Sequence, residues 1–253
     1  MDKLIRPGRI IYAIGIMALG VLCFIMKDFI VGRPPAASWA ANIPGKLAWA
    51  YVSGSLLILA GLAVIFNVRG GIASLLIGVI ILLFSFVLRH LYEMIDWINA
   101  YKALALAGGS FIVAASFFQK GGNDQGTLAG NSKLIFTGCL FLSFFFIISG
   151  LAHFRFADFI KSGFIPAYIP FHPFWTYFCG ICLLAGGIGL LIPGLRKWAA
   201  LLSGIMIGGW FILLHTVRFA NDTSNSSDRL GLCESFTFVG ILFVLAGMLS
   251  KKQ

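Results

Sequence analysis

Charge is what this 253-residue chain has least of. Only 11% of its residues are Asp, Glu, Lys or Arg, against 59% hydrophobic residues. A mean hydropathy of +0.95 excludes a soluble domain, because a chain of this length could not cover so much apolar surface. No phosphate loop, zincin motif or nucleophile elbow occurs, which removes those catalytic readings. His-x-x-His and Cys/His ligand spacings are missing as well. No metal site is therefore expected, and haem is disfavoured even though His153 and His215 could approach from neighbouring helices. The first apolar stretch lacks a small-residue cleavage site and runs into Lys27 and Asp28, so no cleavable signal peptide is expected. A net charge of +10 does not signal nucleic acid, since the basic residues scatter over helix ends.

What is present is repetition. Ala41, Ile43, Pro44, Trp49, Tyr51, Gly54, Leu57, Gly61, Ala73, Leu75, Leu76 and Gly78 recur 126 residues later, from Ala167 to Gly204. These make 12 identities over 38 aligned positions, and the Trp, Tyr, Pro and Gly matches are not compositional. The chain reads as a tandem duplication. Eight continuously apolar stretches, 9–27, 46–66, 70–89, 98–117, 132–153, 174–193, 196–216 and 230–249, each suffice to span a bilayer, which takes about 20 residues. The runs do not alternate, so they predict helices and not barrel strands. The expectation is an all-α polytopic membrane protein with eight transmembrane helices as two parallel-repeat four-helix bundles, 1–120 and 132–253, joined by a linker at 121–131. Short basic connections such as Arg196-Lys197, and the Lys251-Lys252 tail, place both termini in the cytoplasm, in a bacterial cytoplasmic membrane.

All four histidines, His90, His153, His172 and His215, fall near the opposite face, together with most of the acids. Ionisable groups at a bundle edge are costly unless paired or wet, so they mark candidate sites, although each one alone reads as a helix cap or a snorkelling side chain. The second half carries the denser set. Its first connection, 154–173, holds Arg155, Asp158, His172 and three prolines among aromatics, and reads as a short interfacial helix, 154–163, followed by an extended lid. Trp175 and Tyr177 open the next helix. His215 and Arg218 lie three apart on one helix face. Glu234, one turn inside the last helix, needs a basic partner, with His215, Arg218 or Arg155 as candidates; its counterpart in the first half is Lys102. The candidate ligand-binding set is thus His153, Arg155, Asp158, His172, Trp175, Tyr177, His215, Arg218 and Glu234. The expectation is that His153, Arg155, His215, Arg218 and Glu234 converge beneath the 154–173 connection.

Cys179 and Cys182 form a C-x-x-C, a spacing used in thiol–disulfide chemistry because i and i+3 thiols share a helix face. The competing reading is two small apolar residues in a packed helix. Their counterparts, Ser53 and Leu56, show that the scaffold does not require sulfur there.

The segments Gly150-Leu151-Ala152-His153-Phe154 and Ile165-Pro166-Ala167-Tyr168-Ile169-Pro170, the helix from Tyr177 to Gly187 and the helix end at His215 resemble the DoxX-like membrane family. The resemblance is clearest over 132–249 and implies a four-helix unit, here doubled. It also implies an association with thiosulfate:quinone oxidoreduction or with membrane complexes that handle oxidative stress. No catalytic motif carries over residue by residue. Two functions are weighed. One is an integral membrane subunit or assembly factor docking a membrane or periplasmic protein partner, or a lipid-like molecule, at its outer face. The other is a redox subunit with a quinone as its ligand, held by an apolar slot and one or two donors. Transport is disfavoured because no helix is broken at mid-membrane.

Overall fold

Each apolar run becomes one helix. The structure, a computed structural model, describes residues 2–29, 43–91, 97–118 and 125–250. Pro34, Pro35, Glu93, Asp96, Lys120, Asp124, Lys251 and Lys252, and the side chains of Arg89 and His90, lie outside the described residues. Eight helices are long and apolar enough to cross a membrane, and no strand occurs among the described residues. They are α1 (Ile5–Met26), α2 (Lys46–Ile65), α3 (Gly70–Leu88), α4 (Trp97–Phe118), α5 (Gln125–Arg155), α6 (His172–Leu191), α7 (Arg196–Asn221) and α8 (Ser226–Leu249). This is the all-helical, eight-span class that the hydropathy requires.

Packing puts α4 and α8 in the middle. Some 67% and 72% of their most apolar stretches are enclosed, against 22% for α7, which lies at the edge. Each helix touches its neighbours in sequence; α8 also closes onto α1, and α4 meets α8 across the centre. Adding four to the helix number turns the pairs of the first half into those of the second. The closest approaches follow the same rule. Gly20 meets Gly54 between α1 and α2, and Gly150 meets Gly180 between α5 and α6. A Cβ at Gly20 would sit 2.8 Å from the Gly54 oxygen, and one at Gly150 2.9 Å from the Gly180 oxygen. Gly8 meets Gly240 where α1 crosses α8, and Gly138 meets Gly108 where α5 crosses α4. In lipid there is no hydrophobic drive between helices, so such backbone proximity supplies the dispersion contacts that hold them.

Several boundaries differ from expectation for identifiable reasons. The α8 helix starts at Ser226 and not near 230, because the Asn225 side chain accepts hydrogen bonds from the Ser227 and Asp228 amides at 2.9 and 3.2 Å. In the α5–α6 connection, α5 ends at Arg155. Phe156 breaks the winding (φ −114°, ψ 32°), and a separate short helical segment covers 157–164 before Ile165 turns extended ahead of Pro166. Both α3 and α7 switch to π winding near the same end, at Ile81–Leu91 and Phe211–His215. Both α2 and α6 are entered through a left-handed residue, Gly45 (φ 68°) and Phe171 (φ 60°).

Candidate functional site

One ion pair organises the end of the bundle away from the chain termini. Lys102, the only charged residue in α4, donates from Nζ to Glu234 Oε2 on α8 at 2.8 Å, with both side chains almost fully enclosed. Since α8 begins at Ser226, Glu234 lies about 12 Å along its axis, deeper than expected. Lys102 comes from the other half of the chain, and among the described residues none of His215, Arg218 and Arg155 forms a salt bridge with Glu234. Removing one member of such a pair strands a buried charge, whereas removing both can be nearly neutral.

Above this pair lies a cavity of about 260 Å³. Lys102 and Glu234 contribute to its lining, with Ser149 and His153 from α5, Trp175, Thr176 and Cys179 from α6, Trp210 and His215 from α7, and Ser235 from α8. Ile160, Phe164 and Ile165 cover it from the connection. His153 Nδ1 donates to the Ser149 carbonyl at 2.7 Å, which leaves Nε2 as an acceptor in the neutral ring. His215 sits edge-on to Phe164 at 6.3 Å. Trp210 Nε1 donates to Cys179 Sγ at 3.0 Å, and the Trp175 and Trp210 rings meet in a T at 5.6 Å. Such edge-to-face packing is the favoured aromatic geometry and fixes this wall.

A second, apolar groove of about 660 Å³ lies behind that wall, between α6 and α7. Phe178, Cys182, Gly186, Trp198, Leu202 and Leu213 line it, and it shares Trp175, Met206 and Trp210 with the cavity. The cavity and the groove are thus separated by three side chains.

The covering connection is tied down by polar contacts. Arg218 bonds Asp228 through Nε at 2.8 Å and Nη2 at 3.4 Å, and donates from Nη1 to the Gly163 and Phe164 carbonyls at 3.2 and 3.0 Å. Its guanidinium also lies 4.8 Å over the Phe164 ring. The Tyr168 hydroxyl donates to the Leu213 carbonyl, inside the π turn of α7. His172 Nδ1 and Nε2 lie 2.7 and 3.2 Å from the Lys161 and Pro166 carbonyls. Exposed Asp158 pairs with Lys161 at 2.8 Å; that contact holds the carboxyl below its ordinary range and lifts the ammonium above its own.

The structure therefore divides the candidate residues. His153, Trp175, His215, Glu234 and Cys179 share the cavity. Arg218 and His172 brace its cover without lining it. Arg155 is exposed, 5.8 Å from the Phe156 ring, and Asp158 points to solvent. Tyr177 packs on Phe154 at 5.8 Å, on the outer surface. Cys182 belongs to the groove, so the two thiols of the C-x-x-C face different spaces. Among the described residues no three His, Cys, Asp or Glu side chains gather to hold a metal. Lys102, Asp228 and Trp210 were not in the candidate set. The lone charge in an otherwise uncharged α4 was the available signal for Lys102.

A family model described as a domain of unknown function (DUF8561) matches residues 142–230. That span covers the α5, α6 and α7 walls and the connection, and stops before Glu234. No curated protein and no solved structure matches the chain.

Proposed function

We propose that this chain is an integral membrane accessory protein that seats the polar head of a lipid-like molecule in the cavity and lays its apolar tail in the α6–α7 groove. The observation that carries this reading is the Trp175–Met206–Trp210 wall shared by a cavity with an ion pair in its lining and an apolar groove. Drug-sized ligands occupy roughly 300–1,000 Å³. At about 260 Å³ the cavity takes a head group and not a whole amphiphile, and the groove supplies the missing apolar space. Exposed Phe159, Phe171 and Phe174 around the connection give a membrane or periplasmic protein partner its contact surface. The matched glycine contacts, the paired left-handed entries and the 12 identities support two four-helix units related by an axis along the membrane normal. The DoxX-like resemblance supports the second reading, in which the head group is a quinone and the protein a redox subunit; Lys102 and His215 then stand as donors to its carbonyl oxygens.

A photoreactive benzoquinone with a ten-carbon tail tests both. Competable labelling of the α6 and α7 peptides that contain Trp175 and Trp210 is expected. Label spread over all lipid-facing helices, with no competition, defeats the site. Labelling there by a photoreactive fatty acid that excess quinone does not displace selects the lipid reading over the quinone. The membrane is taken as a bacterial cytoplasmic one with both termini inside, on the strength of the short basic connections. Ser226→Cys, with the native cysteines removed, should react with an impermeant thiol reagent in intact cells; labelling only after lysis reverses the orientation.

A further inference from the structure

The face at the other end of the bundle holds a space of a different chemistry. Between α1, α2, α4, α5, the α6–α7 turn and α8 lies a pocket of about 1,120 Å³, at the seam where the first half meets the second. Three arginines line it, Arg6, Arg9 and Arg196, and no Asp or Glu is among its described lining residues. Arg9 stacks on Phe117, with its guanidinium carbon 3.6 Å from the ring centroid, and spends Nε on the Ser116 hydroxyl at 2.8 Å. Arg196 donates to the Leu190 and Leu191 carbonyls at the end of α6, at 2.7 and 3.4 Å. No carboxylate among the described residues pairs with any of the three. A second, independent observation comes from Asn131, at the α5 side of the pocket. It is only 6% exposed, yet its Nδ2 has no hydrogen-bond partner among the described residues. A buried donor without an acceptor is costly, and natural proteins seldom keep one without a reason. Exposed Phe66 and Phe136 form the apolar part of the rim.

We infer that this pocket binds the phosphate-bearing head of an anionic phospholipid, with the acyl chains lying against the aromatic rim. Guanidinium groups suit phosphate because their planar N–H pairs match its oxygens, and the Asn131 amide gains an acceptor. Basic pockets between transmembrane helices are a known place for such heads. The occupant bridges both halves, so it acts as a clamp on the seam and not as a substrate. This inference rests on the membrane-spanning fold alone and is independent of the cavity at the other face.

The test is native mass spectrometry of the full chain in maltoside micelles, with phosphatidylglycerol, with phosphatidylcholine of the same acyl chains, and with inorganic phosphate. Retained phosphatidylglycerol should exceed phosphatidylcholine by about tenfold, and Arg6→Gln with Arg196→Gln should remove most of that excess. Asn131→Leu, which leaves every arginine in place, should lower it about fivefold and guards against misfolding of the double variant. Equal retention of the two lipids overturns the inference, and so does an unchanged excess in both variants. Displacement of phosphatidylglycerol by equimolar inorganic phosphate overturns the lipid assignment in favour of a free-phosphate site.

Discussion

The α1–α2 and α5–α6 corners of the bundle close on the same kind of glycine contact but set different side chains beside it. Aligned on their glycine contacts, Leu19 and Cys23 of α1 stand where α5 has Ser149 and His153, and Ala50 of α2 where α6 has Thr176. In the first half these three are 0%, 1% and 0% exposed. In the second half all three positions line a cavity. The ring pair behind them is kept in kind: Trp49 against Phe84 at 6.2 Å, and Trp175 against Trp210 at 5.6 Å. Only the second pair carries an indole N–H bonded to sulfur, whereas Ser53, at the place of Cys179, turns its hydroxyl back to the Ala50 carbonyl. The glycine contacts are matched, and the side chains set beside them differ in size and chemistry.

The comparison breaks most severely at the ion pair that both halves supply. Lys102→Met should destabilise the protein by about 3–5 kcal/mol in detergent unfolding, because it removes the ammonium that lies 2.8 Å from the buried Glu234 carboxylate. Lys102→Met with Glu234→Met should recover most of that loss. If the single variant costs under about 1 kcal/mol, the pair does not hold the centre. Next in size, Ser149→Leu installs the first half's residue in the second. It should leave the fold intact and cut competable quinone or lipid labelling about tenfold, or about 1.4 kcal/mol; unchanged labelling would place the ligand elsewhere.

A smaller effect sharpens the comparison at the entry to α6. The left-handed conformation that Gly45 adopts without strain is imposed on Phe171, which is 76% exposed and loses little packing if replaced. Phe171→Gly should therefore stabilise by about 1 kcal/mol, read as a rise in the denaturant midpoint. A fall instead would show that the exposed ring is held by contacts in the folded protein. The smallest effect concerns the cover, whose Asp158–Lys161 pair joins a fully exposed carboxylate to a half-buried ammonium. The Asp158 carboxyl lies below its ordinary value when folded, so its contribution is present above the carboxylate range and fades as pH drops through its folded value. The raised Lys161 ammonium works the other way, contributing at all lower pH and losing its part only above the ordinary lysine range. Hydrogen exchange over residues 157–164 should be slow and flat between pH 5 and 9 after correction for intrinsic rates, and should speed up modestly near pH 3. No change between pH 5 and pH 3 would remove the pair from the account of the cover.

Hydropathy made the eight spans legible because it is a local property; a run of 20 apolar residues says what it is without reference to the rest of the chain. The pairing of Glu234 was not legible, since its partner lies 132 residues away and meets it only where α4 crosses α8. Arg155 could have been separated from His153 in advance: two residues on a helix are some 200° apart, so both cannot face one cavity. His215 and Arg218 do lie on neighbouring turns, but the π winding of Phe211–His215 disturbs the simple i, i+3 rule. Arg218 finds Asp228 across the α7–α8 hairpin instead.

The Lys102–Glu234 bond also makes the two halves chemically distinct at the place where they meet. The two residues occupy corresponding places on the two central helices, one cationic and one anionic. An assembly of two first halves would face lysine with lysine at its core, and one of two second halves would face carboxylate with carboxylate. Neither half can therefore be exchanged for a copy of the other without setting like charges against each other at the centre. The single chain is heterodimeric in its chemistry, and it stays so as long as that one bond of opposite charges remains at its centre.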